Sequence, residues 1–213
     1  MSWLMAAIYE RTCTPSEEAG LSDWRAQLLS GLNGNVLEVG AGTGLNLAHY
    51  PEGVTRLVLS EPDRHMQRAL ARKRGAGLDE RMEVVTASVE DLPMEDATFD
   101  AVVSTLVLCS AADPAKAVSE VFRVLRPGGQ FVFREHVAAD PQHDASRYKW
   151  QGRIEPIWKR VMDNCHLRRT TDRCIQDVGF NIEWMEREHI PKAPPWVRPS
   201  IRGVARKPAR AGA

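Results

Sequence analysis

Three glycines with the spacing Gly40-x-Gly42-x-Gly44 follow directly on the apolar run Asn35-Val36-Leu37-Glu38-Val39. Glycine at the carboxyl end of a strand lets backbone approach a ligand where a side chain would stand in the way. The spacing is not the dinucleotide G-x-G-x-x-G, and taken alone the triplet serves equally well as a structural turn. Its context adds chemistry. Glu61 closes the next apolar run about 20 residues on, where a carboxylate can accept both hydroxyls of a ribose; a solvated glutamate at a strand end is the plain alternative. For proton transfer the first candidate is His136, just past Gln130-Phe131-Val132-Phe133-Arg134 and on the rim where ligands meet such sheets. It could equally hydrogen-bond a loop. His166, beside Cys165, is a weaker base, and Cys109 reads as a buried small hydrophobe rather than a nucleophile. Tyr148, Trp150 and Trp158 either wall an apolar ligand pocket or fill a small core. Trp3 and Tyr9, on an N-terminal helix, either cover the ligand or simply pack.

Positioning these residues requires alternating strands and helices. Short apolar runs recur at 35–39, 56–60, 82–86, 99–104 and 130–134. Between them, helical spacing runs from Asp63 to Arg74, with Gly75 ending it, and from Pro114 to Leu125, where Pro127-Gly128-Gly129 stops the helix and starts the next strand. Strands apolar on both faces and separated by helices imply a parallel sheet covered on both sides. After His136 the pattern changes to an aromatic-bearing helix over 145–163, with Pro156 as a kink or break. A short helix over 171–177 follows. Strands at 180–186 and 200–206, joined by a Pro-rich loop, then form an antiparallel pair, and the tail from Lys207 is expected to fray.

Composition agrees with one compact domain of 213 residues, 43% hydrophobic and 26% charged. Disorder, collagen-like repeats and a disulfide scaffold are excluded. Basic and acidic residues number 28 each, so net charge suggests no polyanionic partner and no nucleic acid is expected. Residues 1–140 nevertheless carry 13 basic against 20 acidic side chains, and residues 141–213 carry 15 against 8. The acidic part suits a cationic small molecule; the basic part could meet an acidic substrate, RNA or an anionic membrane surface, or the two parts could attract each other. Cysteines at 13, 109, 165 and 174 form no C-x-x-C pair or zinc-finger spacing, so no metal is expected. The N-terminal apolar run stops after about eight residues, too short for a signal or membrane segment. Together these suggest a cytoplasmic chain with reduced thiols.

Four motifs in order carry a family resemblance: Val36-Leu37-Glu38-Val39-Gly40-Ala41-Gly42-Thr43-Gly44, Glu61-Pro62-Asp63, Glu90-Asp91-Leu92-Pro93-Met94 before Phe99-Asp100, and Arg123-Val124-Leu125-Arg126-Pro127-Gly128-Gly129. They resemble the class I S-adenosylmethionine-dependent methyltransferases. The resemblance implies an α/β, Rossmann-like, doubly wound sheet of seven strands, mostly parallel, with a C-terminal antiparallel hairpin. It also implies S-adenosyl-L-methionine as cofactor. Gly40, Ala41, Gly42 and Gly44 would line its methionine moiety, with Glu38 supporting the turn. Glu61 would hold the ribose hydroxyls, Pro62 would flank the adenine, and Thr105 and Leu106 would face the sulfonium. Ser88 stands where the family usually has an Asp for the adenine amino group; its hydroxyl can also accept, and the Val89 N–H is available. The division expected is an N-terminal helical lid over 1–34, a cofactor core over 35–136, acceptor-side helices and the hairpin over 137–206, and a tail over 207–213.

Ser104-Thr105-Leu106-Val107-Leu108-Cys109-Ser110, Glu135-His136-Val137, Glu155-Pro156-Ile157-Trp158-Lys159 and Pro199-Ser200-Ile201-x-Gly203 are similar to the methyltransferase-like group whose animal members methylate alkyl thiols. Those animal proteins carry an N-terminal membrane anchor that is not seen in this sequence. The similarity implies a small apolar acceptor, a thiol first, with a lipid amine or quinone-ring carbon as alternatives. A nicotinamide-dependent dehydrogenase is disfavoured by the glycine spacing and by the lack of a Tyr-x-x-x-Lys set. A non-catalytic cofactor-binding protein is the remaining alternative.

Overall fold

The computed structural model describes residues 13–74 and 81–209. A helical turn, Glu17–Leu21, leads into α1 (Ser22–Leu29). β1 (Gly34–Val39), β2 (Val54–Ser60), α2 (Arg64–Arg74), β3 (Met82–Val85), β4 (Phe99–Thr105), α3 (Pro114–Val124) and β5 (Leu125–His136) follow. The chain ends with α4 (Ala145–Val161), α5 (Thr171–Asp177), β6 (Asn181–His189) and β7 (Pro199–Arg206). The strands form one seven-stranded sheet in the order β3-β2-β1-β4-β5-β7-β6. β1 to β5 pair in parallel, and β7 is antiparallel to both β5 and β6.

The central strands β1, β2, β4 and β5 are buried on both faces, which is why they read as apolar runs without alternation, whereas the edge strand β6 (Asn181–His189) is largely exposed and alternates. Leu37, Val39, Val102, Phe131 and Phe133 face α3 and α5 through Val118, Val121 and Ile175. Val36, Leu57, Leu59, Val103 and Val132 face the opposite layer, with Leu28, Leu29 and Leu70. Within the expected lid over 1–34, α1 is therefore partly core. Trp3, Tyr9 and Gly75 lie outside the described residues.

Three local expectations are corrected. α3, capped by the Asp113 carboxylate on the N–H groups of Ala115 and Lys116, ends at Val124. Strand pairing begins at once, Phe99 with Leu125, and Arg126–Gly129 bulges before Gln130 meets Ala101. Pro156 does not break α4, which runs from Ala145 to Val161. Lys207 is anchored: its N–H donates to the Gly129 carbonyl at 2.9 Å, and its Nζ donates to the carbonyls of Phe122 and Leu125 at 2.7 and 2.8 Å.

Candidate active site

At the carboxyl ends of β1, β2 and β4 the backbone turns away from the sheet and leaves a cleft of about 240 Å³. Gly40, Gly42, Glu61, Pro62, Ser88, Val89 and Leu106 line it together with Met66, Val107 and Met162. A roomier groove of about 440 Å³, among Val137, Asp140, Arg147, Glu188 and His189, contains neither the glycine turn nor Glu61, so volume alone does not locate the site.

The three glycines have different duties. A Cβ on Gly42 would meet nothing nearer than the Gly40 carbonyl at 3.9 Å, so its open side belongs to the cleft. A Cβ on Gly40 would strike Val107 at 2.6 Å, and one on Gly44 would strike Leu47 and Leu70 at 2.6 Å. Gly40 thus admits the wall of the cleft, and Gly44 seats the turn on the core. Ala41 is buried beneath the turn.

Glu61 is fixed by its own backbone neighbourhood. Its Oε2 accepts from the Gly42 N–H and its Oε1 from the Asp63 N–H, both at 2.8 Å. Burial raises its pKa, and those two N–H bonds oppose the shift. Each carboxylate oxygen can accept more than one hydrogen bond, so the group can still take a diol. Ser88 donates its hydroxyl hydrogen to Glu90, a cleft residue that sequence reasoning did not single out. Glu90 also accepts from the Ala112 N–H at 2.7 Å. The Ser88 oxygen keeps its capacity to accept.

Glu38 lies below the turn. It accepts from Asn46 Nδ2 at 2.9 Å and from the Tyr50 hydroxyl at 2.7 Å, and burial pushes its carboxyl up to about 7 against these bonds. Asn46 Nδ2 also donates to the Thr105 hydroxyl at 3.0 Å, and its Oδ1 accepts from Arg25 at 2.7 Å. Thr105 therefore serves this network, and the wall at the end of β4 is Leu106 and Val107. Leu106 has φ +61°, a conformation costing about 1–2 kcal/mol for a side-chain-bearing residue. It redirects the chain from the strand into the cleft wall.

On the far side of Leu106 lies an apolar patch of Leu21, Trp24, Ile190 and Val197. Arg134 stacks on Trp24, its guanidinium carbon 4.1 Å from the ring centroid. It is 1% exposed, and its three guanidinium nitrogens have no hydrogen-bond partner among the described residues. Burial, aided by the nearby Arg25, lowers its pKa to about 9.

His136 ends β5 as expected, but it is 3% exposed rather than open on the rim. Its ring nitrogens lie 3.8 and 3.9 Å from Cys165 Sγ, and Cys165 Sγ is 4.0 Å from Cys109 Sγ. Burial works against the imidazolium, yet the Cys165 sulfur and the Glu135 carboxylate outweigh it and raise the His136 pKa. Glu135 accepts from Ser104 Oγ and the Val107 N–H, while its Oε2 has no partner among the described residues. The sulfur cluster escaped the sequence reading because its members stand far apart in the chain. His166 is turned toward Glu155 at 3.5 Å and takes no part in the cleft. Trp158 donates to Cys165 Sγ at 3.3 Å and packs edge-on to Trp196, Trp150 is 54% exposed, and Tyr148 carries Arg168 on its ring.

The open side of Gly42 beside a backbone-held carboxylate fits the ribose and methionine portions of S-adenosylmethionine. The acceptor capacity of Ser88 fits an adenine amino group. Residues 37–133 match the methyltransferase-domain family. The chain is 39% identical over 183 residues to human thiol S-methyltransferase TMT1B, covering 84% of this chain and 74% of that protein. It is 36% identical to human thiol S-methyltransferase TMT1A, covering 81% and 70%. Among solved structures, geranyl diphosphate methyltransferase in complex with S-adenosylmethionine superposes with a TM-score of 0.70 at 17% identity, covering 89% of this chain and 85% of that one. The cyclase SpnF superposes at 0.69 and 20% identity, covering 89% and 80%, so the fold alone does not name a reaction. On motif, cleft and kinship together, the chain belongs to the class I S-adenosylmethionine-dependent methyltransferases, in the family that includes the thiol S-methyltransferases TMT1A and TMT1B.

Proposed function

We propose that this enzyme transfers the methyl group of S-adenosylmethionine to the sulfur of a small, fairly apolar thiol. The observation that carries the acceptor is the 39% identity to TMT1B over 84% of this chain. When bound, the cofactor supplies a methyl group on a sulfonium whose departing sulfur becomes neutral, so the protein need not provide an acid. Gly42 leaves the room, Glu61 holds the ribose hydroxyls, Pro62 flanks the adenine, and Ser88 and Val89 meet its edge. Gly40 and Leu106 bound the methionine end. Glu38, Ala41, Gly44 and Thr105 act from beneath, by holding the turn.

Leu106, Val107 and Met162 offer the reacting sulfur an apolar surround that excludes water. Holding donor and acceptor in line can contribute up to ~7–11 kcal/mol of barrier reduction. A thiol of pKa about 8.5 is only a few per cent ionised at neutral pH, so presenting it as a thiolate is the remaining task. His136 serves that task through its cluster with Cys109 and Cys165, because an enclosed ring is poorly placed as an open base.

The test is incubation with labelled S-adenosylmethionine and a panel of alkyl thiols, amines including phosphatidylethanolamine, phenols and quinols. Label in the thiols supports the reading. Label confined to an amine or a quinol overturns it.

A peripheral contact with an anionic membrane surface is supported by α4. Trp150, Ile157 and Val161 are 54%, 68% and 57% exposed at helical spacing, with the exposed cations Lys149, Arg153 and Arg160 alongside. No helix among the described residues is long and apolar enough to cross a membrane. Co-sedimentation with anionic but not zwitterionic vesicles, lost in Ile157→Glu, is the expected result; equal behaviour with both vesicles would remove the proposal. Cytoplasmic action is proposed from the four cysteines, none of which is in a disulfide.

A further inference from the structure

Cys109, His136 and Cys165 come from three separate segments: the loop after β4, the last residue of β5, and the turn after α4. One ligand atom from each, two sulfurs and a ring nitrogen, all lie within 4.8 Å of one another. The two sulfurs are 4.0 Å apart, and the Cys165 sulfur is 3.8 and 3.9 Å from the ring nitrogens of His136. A tetrahedral ion with bonds of about 2.3 Å to sulfur and about 2.0–2.1 Å to nitrogen holds its ligand atoms roughly 3.5–3.8 Å apart. The Cys109–Cys165 and Cys165–His136 pairs are within a few tenths of an ångström of that spacing, and binding would draw Cys109 and His136 together and turn one ring nitrogen toward the ion.

The donor set selects the ion. Two thiolates and an imidazole suit zinc and its near relatives, whereas calcium and magnesium require oxygen. Three protein ligands leave one of four positions open, which is the arrangement of reactive zinc sites rather than structural ones.

The surroundings are those that fix metal ligands. Trp158 Nε1 donates to the Cys165 sulfur at 3.3 Å. The segments are tied together directly: the His166 N–H donates to the Cys109 carbonyl at 2.8 Å, and Asn164 Nδ2 donates to the Ser110 carbonyl at 3.0 Å.

The three residues do not themselves line the cleft, but their neighbours in the chain do. Ser110 and Ala111, next to Cys109, and Met162 and Asp163, just before Cys165, line the same cleft as Gly42 and Glu61.

We propose that Cys109, His136 and Cys165 bind one zinc-class divalent ion whose fourth position takes the acceptor thiol as its thiolate. The second half rests on the thiol reading given above; the first does not. Coordination deprotonates a thiol outright at neutral pH. The acceptor RSH releases its proton to solvent as its sulfur occupies the fourth position. Two cysteine thiolates already neutralise the ion, so the added thiolate leaves the complex with one negative charge and the sulfur nucleophilic. That sulfur forms a bond to the methyl carbon while the sulfonium S–C bond breaks, its electron pair staying on the departing sulfur. The product is a neutral thioether, a poorer ligand, and it leaves the ion. In this arrangement His136 is a ligand and not a base.

The experiment uses the full chain, reduced with a phosphine, stripped with a chelator and titrated with Co²⁺ and then Zn²⁺. The expected result is one Co²⁺ per chain, with the visible spectrum of tetrahedral thiolate ligation, displaced by one equivalent of Zn²⁺. Cys109→Ser and Cys165→Ser should lose that spectrum while still binding S-adenosylhomocysteine, which shows that they remain folded. Trp158→Phe should weaken the metal about 10–100-fold, the usual effect of removing a partner of a ligand. A short alkyl thiol should then shift the cobalt spectrum, and the matching alcohol should not. Substoichiometric binding, or binding indifferent to both cysteine substitutions, overturns the site. A cobalt spectrum that no thiol perturbs, or full thiol methylation by the stripped enzyme, overturns the role of the fourth position and leaves the thiol reading intact. Conversely, a cobalt complex that takes up thiols while no thiol gains label counts against the proposed acceptor and not against the metal site.

Discussion

At the scale of single residues, Gly42 and Glu61 divide space from affinity. Gly42→Val places methyl groups in the open side of the turn, so S-adenosylhomocysteine binding measured by calorimetry should disappear. The fold should survive, because the added Cβ meets no core atom, although φ +57° makes the substitution cost about 1–2 kcal/mol in stability. Glu61→Ala should weaken the same binding by about 1.5–3 kcal/mol, the scale of hydrogen bonds to a charged group; unchanged affinity would remove Glu61 from the site. Glu38 gives a pH dependence. Burial raises its folded-state pKa from 4.5 to about 7, so the folded chain holds a proton that the unfolded chain releases. Its contribution is fully present below about pH 4.5 and lost as pH rises through about 7, a change of roughly 3 kcal/mol. Urea unfolding of the cofactor-free protein between pH 5 and 8 should show this decline, and Glu38→Gln should flatten it. Parallel pH profiles for the two proteins would contradict the assignment.

At the scale of elements, the last strand does more than complete the sheet. β7 pairs with β5 from Gln130↔Arg206 to His136↔Ser200 and so supports the carboxyl-terminal part of the strand, which carries Arg134, Glu135 and His136. Just beyond it, Lys207 donates to the carbonyls of Phe122 and Leu125, where α3 ends, and its charge suits the negative end of that helix. Lys207→Ala should therefore cost about 1–2 kcal/mol in thermal or urea unfolding. Cofactor affinity should stay unchanged, since this anchor stands at the opposite end of β5 from the cleft. An effect within a few tenths of a kcal/mol would mean that solvent replaces these bonds.

For the molecule as a whole, cofactor binding should be visible as stability. The cleft joins the ends of β1, β2 and β4 with the segment after α4, so a ligand that fills it favours the folded state of all of them. At 100 times its dissociation constant, S-adenosylhomocysteine should add about 2.7 kcal/mol. In a chain of this length that corresponds to a rise of about 5–10 °C in melting temperature by scanning fluorimetry. NADH should produce none, given the glycine spacing and the cleft around Gly42. An equal rise with NADH would overturn the cofactor specificity.

The sequence by itself determined most of the sheet and the glycine-and-carboxylate end of the cleft. Strands buried on both faces must be apolar throughout, and a turn that admits a ligand at a strand end must lack side chains; both demands leave marks within a few neighbouring residues. Gly42, Glu61 and the central strands were legible for that reason, and the exposed edge strand β6 by its alternation instead. The directions of strand-end side chains were not. Thr105 bonds to Asn46 and Leu106 forms the wall because the chain reverses locally at φ +61°, which no residue type at those positions announces. The contacts beyond the glycine turn and Glu61 depended on tertiary structure altogether. Arg134 meets Trp24, and Cys109 meets His136 and Cys165, only because β5 lies beside β4 and the segment after α4 folds back over their ends. Contacts between residues far apart in the chain are set by the packing of whole elements, and a sequence read locally has no pattern that records them.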